Sequence, residues 1–174
     1  MRSTNSPSLD PAARLAARFI RGLETRPVPV SITGVHGGAG TTTVARLLAA
    51  TDLGLDWPAR HDPQHVFLTA RTNAAGLTAA SQTLAEYRKA EYPEGPYLAG
   101  FILVADAPGR LPKPLRRRIQ VLASATMVYR LPWVSQWRLS DTTHDNAIAA
   151  SLRRFAARTV EAGTTWEGTS CTAA

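Results

Sequence analysis

The segment VPVSITGVHGGAGTTTV, residues 28–44, decides the fold of this chain. An apolar run ending at Gly34 is followed by the glycine-rich turn HGGAG and then by TTTV, which is typical of a strand, a tight turn and the start of a helix. Consecutive backbone N–H groups in such a turn face one concavity, and the positive end of the following helix dipole adds to their field. The segment therefore predicts a cradle that favours an anionic group such as phosphate.

The turn departs from the Walker pattern G-x-x-x-x-G-K-[ST] at two diagnostic positions. Val35 stands where the first glycine is expected, and Thr41 stands in place of the lysine. Gly40 and Thr42 match the second glycine and the hydroxyl residue that binds Mg²⁺. Because the lysine stabilises charge that develops during phosphoryl transfer, its absence predicts slow hydrolysis at most, and we assign no catalytic residue.

Two polar residues elsewhere in the chain are expected beside this turn. Arg71 and Asp106 each follow an apolar strand, and the carboxyl ends of parallel strands meet at one edge of a sheet, where ligands bind. They face that crevice or pair with each other. His36 either adds positive charge when protonated or is a solvated loop residue. The candidates for binding a nucleotide or phosphate are His36, Gly37, Gly38, Ala39, Gly40, Thr41, Thr42, Thr43, Arg71 and Asp106, with Thr42 as the candidate Mg²⁺ ligand.

The rest of the chain alternates apolar runs with helical patterns. We expect strands over residues 27–34, 65–71, 98–105 and 126–131. We expect helices from Thr41 or Thr42 to about Thr51, from Ala74 (capped by Asn73) to about Ala90, over 112–123, and from about His144 to Glu161. Residues 52–64 are expected to form a loop. This alternation predicts an α/β fold with three layers, helix, sheet and helix, around a mainly parallel sheet of about 4–5 strands.

The chain ends differ from this central domain, which we place at residues 27–161. Residues 1–9 and 162–174 are polar and are expected to be disordered. Residues 10–26 begin with an N-cap aspartate followed by proline and are expected to form an amphipathic helix. That helix either docks its apolar face on the domain or offers its basic face to a partner. Its apolar face carries Leu15, Phe19 and Leu23, and its basic face carries Arg14, Arg18 and Arg21.

The segment His36–Thr43 resembles the deviant Walker loop K-G-G-x-G-K-T-T of the MinD/ParA P-loop ATPases, with His36 and Thr41 in place of its two lysines. Residues 98–106 look like that family's strand ending in an asparagine that reads the base, with Asp106 at the asparagine position. Residues 129–133, YRLPW, are similar to its late strand and I-P-[YW] turn. The same order of motifs also resembles small actinobacterial proteins that keep the glycine turn and an A-D-A-P-G-R-L-P loop.

This resemblance implies a truncated P-loop NTPase-like domain with ATP or GTP and Mg²⁺ as its ligand. Members of the family place two further strands, which carry the switch aspartates, ahead of the strand like residues 66–70. Here Asp52, Asp56 and Asp62 are the only aspartates in that interval, and no Walker B strand is expected. The resemblance thus implies a reduced domain that binds nucleotide weakly or not at all and works through an unknown protein partner.

The composition indicates the cellular compartment and the charge of a partner, but it does not identify the partner. The chain has 20 Lys and Arg against 13 Asp and Glu, a net charge of +7, which favours an anionic partner. No apolar run approaches the ~20 residues of a membrane span, and Cys171 is the only cysteine, so we expect a cytoplasmic protein. Exposed edges of a small sheet would also allow a homodimer.

Two alternatives to nucleotide binding stay open at this point. The arginines of residues 10–26, together with Arg116, Arg117 and Arg118, either contact nucleic-acid phosphates or form solvated charged faces. The glycine turn either binds phosphate or serves only to let a strand and a helix approach closely, in an interaction module without a ligand.

Overall fold

A five-stranded sheet forms the centre of the computed structural model, which describes residues 29–90, 95–139 and 145–167. All strand pairs are parallel, and the order across the sheet is β2-β1-β3-β4-β5. The α/β fold with a parallel sheet, expected from the alternating pattern, is confirmed. The strands are β1 (Ser31–Gly34), β2 (Thr51–Asp52), β3 (His65–Arg71), β4 (Tyr97–Val104) and β5 (Val128–Leu131).

Helices cover both faces of the sheet, and the described ones are α1 (Thr41–Leu48), α2 (Ala74–Lys89), α3 (Lys113–Ala123), a short 3-10 helix (Ser135–Arg138) and α4 (Asn146–Glu167). Successive residues of a strand point to opposite faces, so β3 buries Phe67 on one side and Leu68 on the other. Phe67 shares an apolar cluster with α1 and α4, whereas Leu68 shares a second cluster with α2 and α3.

The connection from β2 to β3 is a loop of residues 53–64, which we call the crossover loop. It lies against β1, because the Ser31 hydroxyl donates to the carbonyl of Pro63 (2.8 Å) and the Thr33 hydroxyl donates to the carbonyl of Asp56 (2.9 Å). Both side chains are buried, so these bonds supply the acceptors that buried hydroxyls need. Ser31 and Thr33 therefore pack against the crossover loop. Apolar side chains at these two positions would need a helix to cover them.

Several boundaries differ from the sequence-based expectation, and β1 begins at Ser31, so residues 29 and 30 lie outside the strand expected over 27–34. Helix α1 ends at Leu48 and not near Thr51, because Ala49 takes a left-handed conformation (φ 54°) and the chain turns back towards the sheet. Thr51 then pairs with Ser31 in the short strand β2, inside the span where helix and loop were expected. Helix α4 extends to Glu167, beyond the expected end at Glu161. The expected helix over residues 10–26 lies outside the described residues.

Candidate functional site

The glycine turn lies where neighbouring connections leave the sheet in opposite directions. From β1 the chain passes to β2 on one side, whereas β3 lies on the other side of β1. In parallel α/β sheets such a switch point opens a crevice at the carboxyl ends of the strands, and ligands bind there. The turn after β1 and the residues after β3 and β4 all lie at this edge.

Two glycines give the turn its shape. Gly38 (φ 75°) and Gly40 (φ 96°) adopt left-handed conformations that side chains with a Cβ rarely take. A Cβ on Gly40 would also lie 3.1 Å from Cγ2 of Val104, at the end of β4. Gly40 therefore lets the start of α1 approach the neighbouring strand closely.

Most backbone N–H groups of the turn have no acceptor within the described part of the protein. The Ala39 N–H donates to the carbonyl of His36 (3.2 Å), and helix bonding begins with the Val44 N–H, which donates to the carbonyl of Gly40 (3.0 Å). Among the described residues, no acceptor is found for the six N–H groups of residues 37, 38 and 40–43. These groups lie at the positive end of the α1 dipole, so a bound anion would be stabilised there.

The His36 side chain bridges the turn to β3. Its Nε2 accepts a hydrogen bond from the Arg71 backbone N–H (3.1 Å), and its Nδ1 lies 2.9 Å from the carbonyl of Gly37. Since a carbonyl only accepts, Nδ1 carries the proton and Nε2 is the bare nitrogen. The ring therefore joins the turn to β3 through one donated and one accepted hydrogen bond.

The Arg71 side chain holds the turn from the opposite side. Its Nε donates to the carbonyl of Gly38 (2.9 Å), and its Nη1 donates to the carbonyl of Ala105 (3.1 Å). The guanidinium thus joins the turn to the end of β4. Among the described residues these two bonds use two of its five N–H groups, which leaves further donors and the positive charge for an anion beside the turn.

Asp106 lies at the same edge but does not pair with Arg71. Its carboxylate Oδ1 accepts from the Asn73 side-chain amide (3.2 Å), and its backbone N–H donates to the Thr72 hydroxyl (3.1 Å). Asn73 also caps α2 as expected, because its Oδ1 accepts from the Gly76 N–H (2.8 Å). Asp106 therefore joins the segment that follows β4 to the segment that follows β3. The alternative of an Arg71–Asp106 pair is not observed.

Thr41, which stands at the lysine position, points into the protein. Its buried hydroxyl lies 3.2 Å from the hydroxyl of Thr69 on β3. A Cβ on Gly34 would come within 2.6 Å of this Thr41 hydroxyl oxygen, so the glycine at the end of β1 makes room for it. Thr42 is exposed, which leaves its hydroxyl accessible at the start of α1. No group of three His, Cys, Asp or Glu side chains suited to a metal ion occurs in the described part of the chain.

The three arginines of α3 that were considered for nucleic-acid binding differ in their contacts. Arg118 donates to the carbonyl of Ala74 and to the hydroxyl of Thr78, both at 3.1 Å, and so fastens α3 to α2. Arg116 and Arg117 are exposed. In residues 29–90, 95–139 and 145–167, the only ion pair joins His61 to Asp62 (3.8 Å), so these two arginines have no carboxylate partner there.

Gly76 is a site residue that sequence reasoning missed. A Cβ at this position would lie 2.3 Å from the carbonyl oxygen of Arg71 and 3.0 Å from Nε2 of His36. The glycine therefore lets the first turn of α2 press against the His36–Arg71 bridge. The sequence signal that could have identified it is a glycine within the first turn of a predicted helix, where glycine is unfavourable.

We expect Gly76→Ala to displace this bridge, because its methyl group would overlap a backbone carbonyl. Overpacking of this kind costs about 1–3 kcal/mol in the free energy of unfolding, measured by urea denaturation. The matched control is Gly37→Ala, since a Cβ on Gly37 meets no atom within 4 Å. Equal stability of the two variants would contradict the close packing described here.

We also predict which ring nitrogen of His36 carries the proton. In alkaline buffer, long-range ¹H–¹⁵N NMR correlations should show a protonated Nδ1 and a bare Nε2, since both nitrogens are fixed by backbone groups. Free histidine in the same buffer is the control and should show the tautomer mixture of a solvated imidazole. A protonated Nε2 at His36 would rule out the bridge to Arg71.

Comparison with known proteins gives no match to a family model, a curated protein or a solved structure. The likeness to the MinD/ParA ATPases therefore rests on the sequence motifs alone. No α-helix in the described residues combines the length and apolar character that crossing a bilayer demands.

Proposed function

We propose that this protein is a reduced P-loop-like domain that holds the phosphates of a nucleotide weakly, lacks efficient hydrolysis and acts through a protein partner. The observation that carries this proposal is the row of N–H groups at residues 37, 38 and 40–43, which have no acceptor among the described residues. Such groups, next to left-handed glycines at a helix N-terminus, suit the oxygen atoms of phosphate.

Arg71 supports the same site by placing a cation beside the turn. Its guanidinium is held against the turn by the Gly38 and Ala105 carbonyls. A planar guanidinium with free N–H groups suits phosphate oxygens well. The site would thus combine backbone donors from the turn with one cation from β3.

The ligand class that we propose is a nucleoside triphosphate, ATP or GTP, with Mg²⁺. Mg²⁺ at such sites is usually held by substrate phosphates together with a few protein oxygens. The exposed Thr42 hydroxyl is the protein oxygen offered here. The cation would neutralise phosphate charge, and the donor set fits weak binding because the described residues add no cluster of acidic ligands.

Slow hydrolysis follows from the neutral Thr41 at the position of the lysine. Its hydroxyl contacts Thr69 inside the protein and lies away from the exposed side of the turn. Phosphoryl transfer depends on a positioned cation near the transferred group. Arg71 is held by two carbonyls and is therefore suited to ground-state binding of phosphate.

The proposal predicts saturable binding of Mg²⁺-ATP or Mg²⁺-GTP in calorimetric titration. Gly38→Asp should abolish it, because a carboxylate would enter the cradle, whereas Gly38→Asn has the same shape and backbone demand without the charge and should retain most of the binding. A Cβ at Gly38 meets no atom within 4 Å, and Asp and Asn tolerate a positive φ better than other residues with a Cβ, so both variants should fold with similar backbone strain. Loss of binding in both variants, or no heat with the unaltered protein, would contradict a phosphate cradle.

Rapid turnover that Thr42→Ala abolishes would contradict the predicted lack of efficient hydrolysis.

A second candidate function is association with nucleic acid, favoured by the exposed Arg116 and Arg117 on α3. For duplex DNA, the slope of log K against log salt concentration falls in magnitude by about 0.9 for every arginine–phosphate contact that is removed. The variant Arg116→Gln/Arg117→Gln should therefore flatten the salt dependence of DNA binding. The matched control is Arg153→Gln/Arg154→Gln on α4, where both residues are also exposed. Equal slopes for the two variants would exclude α3 as the nucleic-acid surface.

A further inference from the structure

The crossover loop and the end of β2 expose apolar side chains beside acidic ones. Leu55 is 58% exposed and Trp57 is 37% exposed. Asp52 and Asp56 are also exposed, and neither has a cationic partner among the described residues. We call these four residues the loop surface. Exposed apolar groups rimmed by polar ones mark interaction sites more often than isolated apolar residues do.

The loop surface lies where other crossovers of this sheet place a helix. The connections β3–β4 and β4–β5 each contain an α-helix, whereas the connection β2–β3 contains only the crossover loop. That loop covers β1 through hydroxyl bonds from Ser31 and Thr33. This part of the sheet face therefore has a thinner cover than the part under α2 and α3.

A segment of the same chain has matching chemistry. Leu15, Phe19 and Leu23 fall on one face of the helix predicted for residues 10–26. Arg18 lies three residues after Leu15 and so neighbours it on a helix surface. Residues 10–26 contain four arginines against Asp10 and Glu24, whereas residues 51–64 contain three aspartates against one arginine. The charges of the two segments are therefore complementary.

Chain connectivity allows this segment to reach the loop surface. Its end at residue 26 is followed by only four residues before β1 begins at Ser31, and four extended residues span about 14 Å at most. The crossover loop lies directly on β1, with its Pro63 carbonyl bonded to the Ser31 hydroxyl. A helix of 17 residues is about 25 Å long, which is enough to extend along the crossover loop.

We propose that residues 10–26 dock as an amphipathic helix on the loop surface of their own chain. The apolar face of the helix covers Leu55 and Trp57, and Arg18 reaches the carboxylate of Asp56. The docked helix then takes the place of the helix that the β2–β3 connection lacks. It also contacts the segment that positions the glycine turn, because the Gly54 carbonyl accepts from the N–H of Gly34 (2.7 Å).

Disulfide trapping in the full chain tests this docking. In a Cys171→Ser background, Arg18→Cys combined with Asp56→Cys leaves the apolar contact intact and should form a disulfide within one chain under mild oxidation, detected by intact mass and peptide mapping. Arg18→Cys combined with Val121→Cys is the matched control, because Val121 is an exposed residue on α3 (70% exposed). The control pair should remain reduced.

Every other outcome of this experiment overturns the proposal. Equal trapping of both pairs would show a segment without a preferred site, and no trapping would show that residues 10–26 do not reach the loop surface. A disulfide only between two chains would identify a second copy as the occupant.

Amide hydrogen exchange of the full chain gives an independent test that needs no cysteine. Phe19→Ser should lower the protection of the Leu55 and Trp57 backbone N–H groups, which have no acceptor among the described residues, because the side chain that covers both residues would be gone. Ala17→Ser, on the other side of the predicted helix, should leave that protection unchanged. Exchange that is identical in the unaltered chain and in both variants would contradict docking.

Discussion

The glycine turn depends on a bridge between His36 and Arg71. The backbone N–H of Arg71 donates to the imidazole of His36, while the guanidinium of Arg71 donates to the carbonyls of Gly38 and Ala105. One residue of β3 thus fixes the turn that follows β1 and joins it to the end of β4. Because both side chains bond to main-chain groups, the turn keeps a defined shape without a lysine folded across it.

The bridge places a cation beside the N–H groups of the turn, and the proposed anion binding depends on this placement. A purely connecting turn needs a close approach, which Gly34 and Gly40 provide. It does not need a cation fixed beside N–H groups that have no acceptor in the described residues. The combination of one guanidinium and a row of such donors suits an anion, and the inward orientation of Thr41 separates the proposed binding from catalysis.

The sequence predicted the parts of this structure that depend on local pattern. The apolar runs of β3 and β4, the capping of α2 by Asn73 and the turn before α1 all follow from neighbouring residues. Strand β2 could not be predicted, because two residues carry no periodicity and Ala49 gives no sign of its left-handed conformation. The partners of His36 and Arg71 could not be predicted either, since they are set by the pairing of β1 with β3 and by the packing of Gly76.

The most direct measurement is a titration of the full-length protein with inorganic phosphate and then with Mg²⁺-ATP, followed by ¹H–¹⁵N NMR. A phosphate cradle predicts saturable shifts for the amides of residues 37, 38 and 40–43 and for Nε of Arg71, with little change at Ala39, whose N–H is already bonded. Shifts confined to the arginines of α3, or an unchanged spectrum at saturating ligand, would contradict it and leave the turn with a packing role alone.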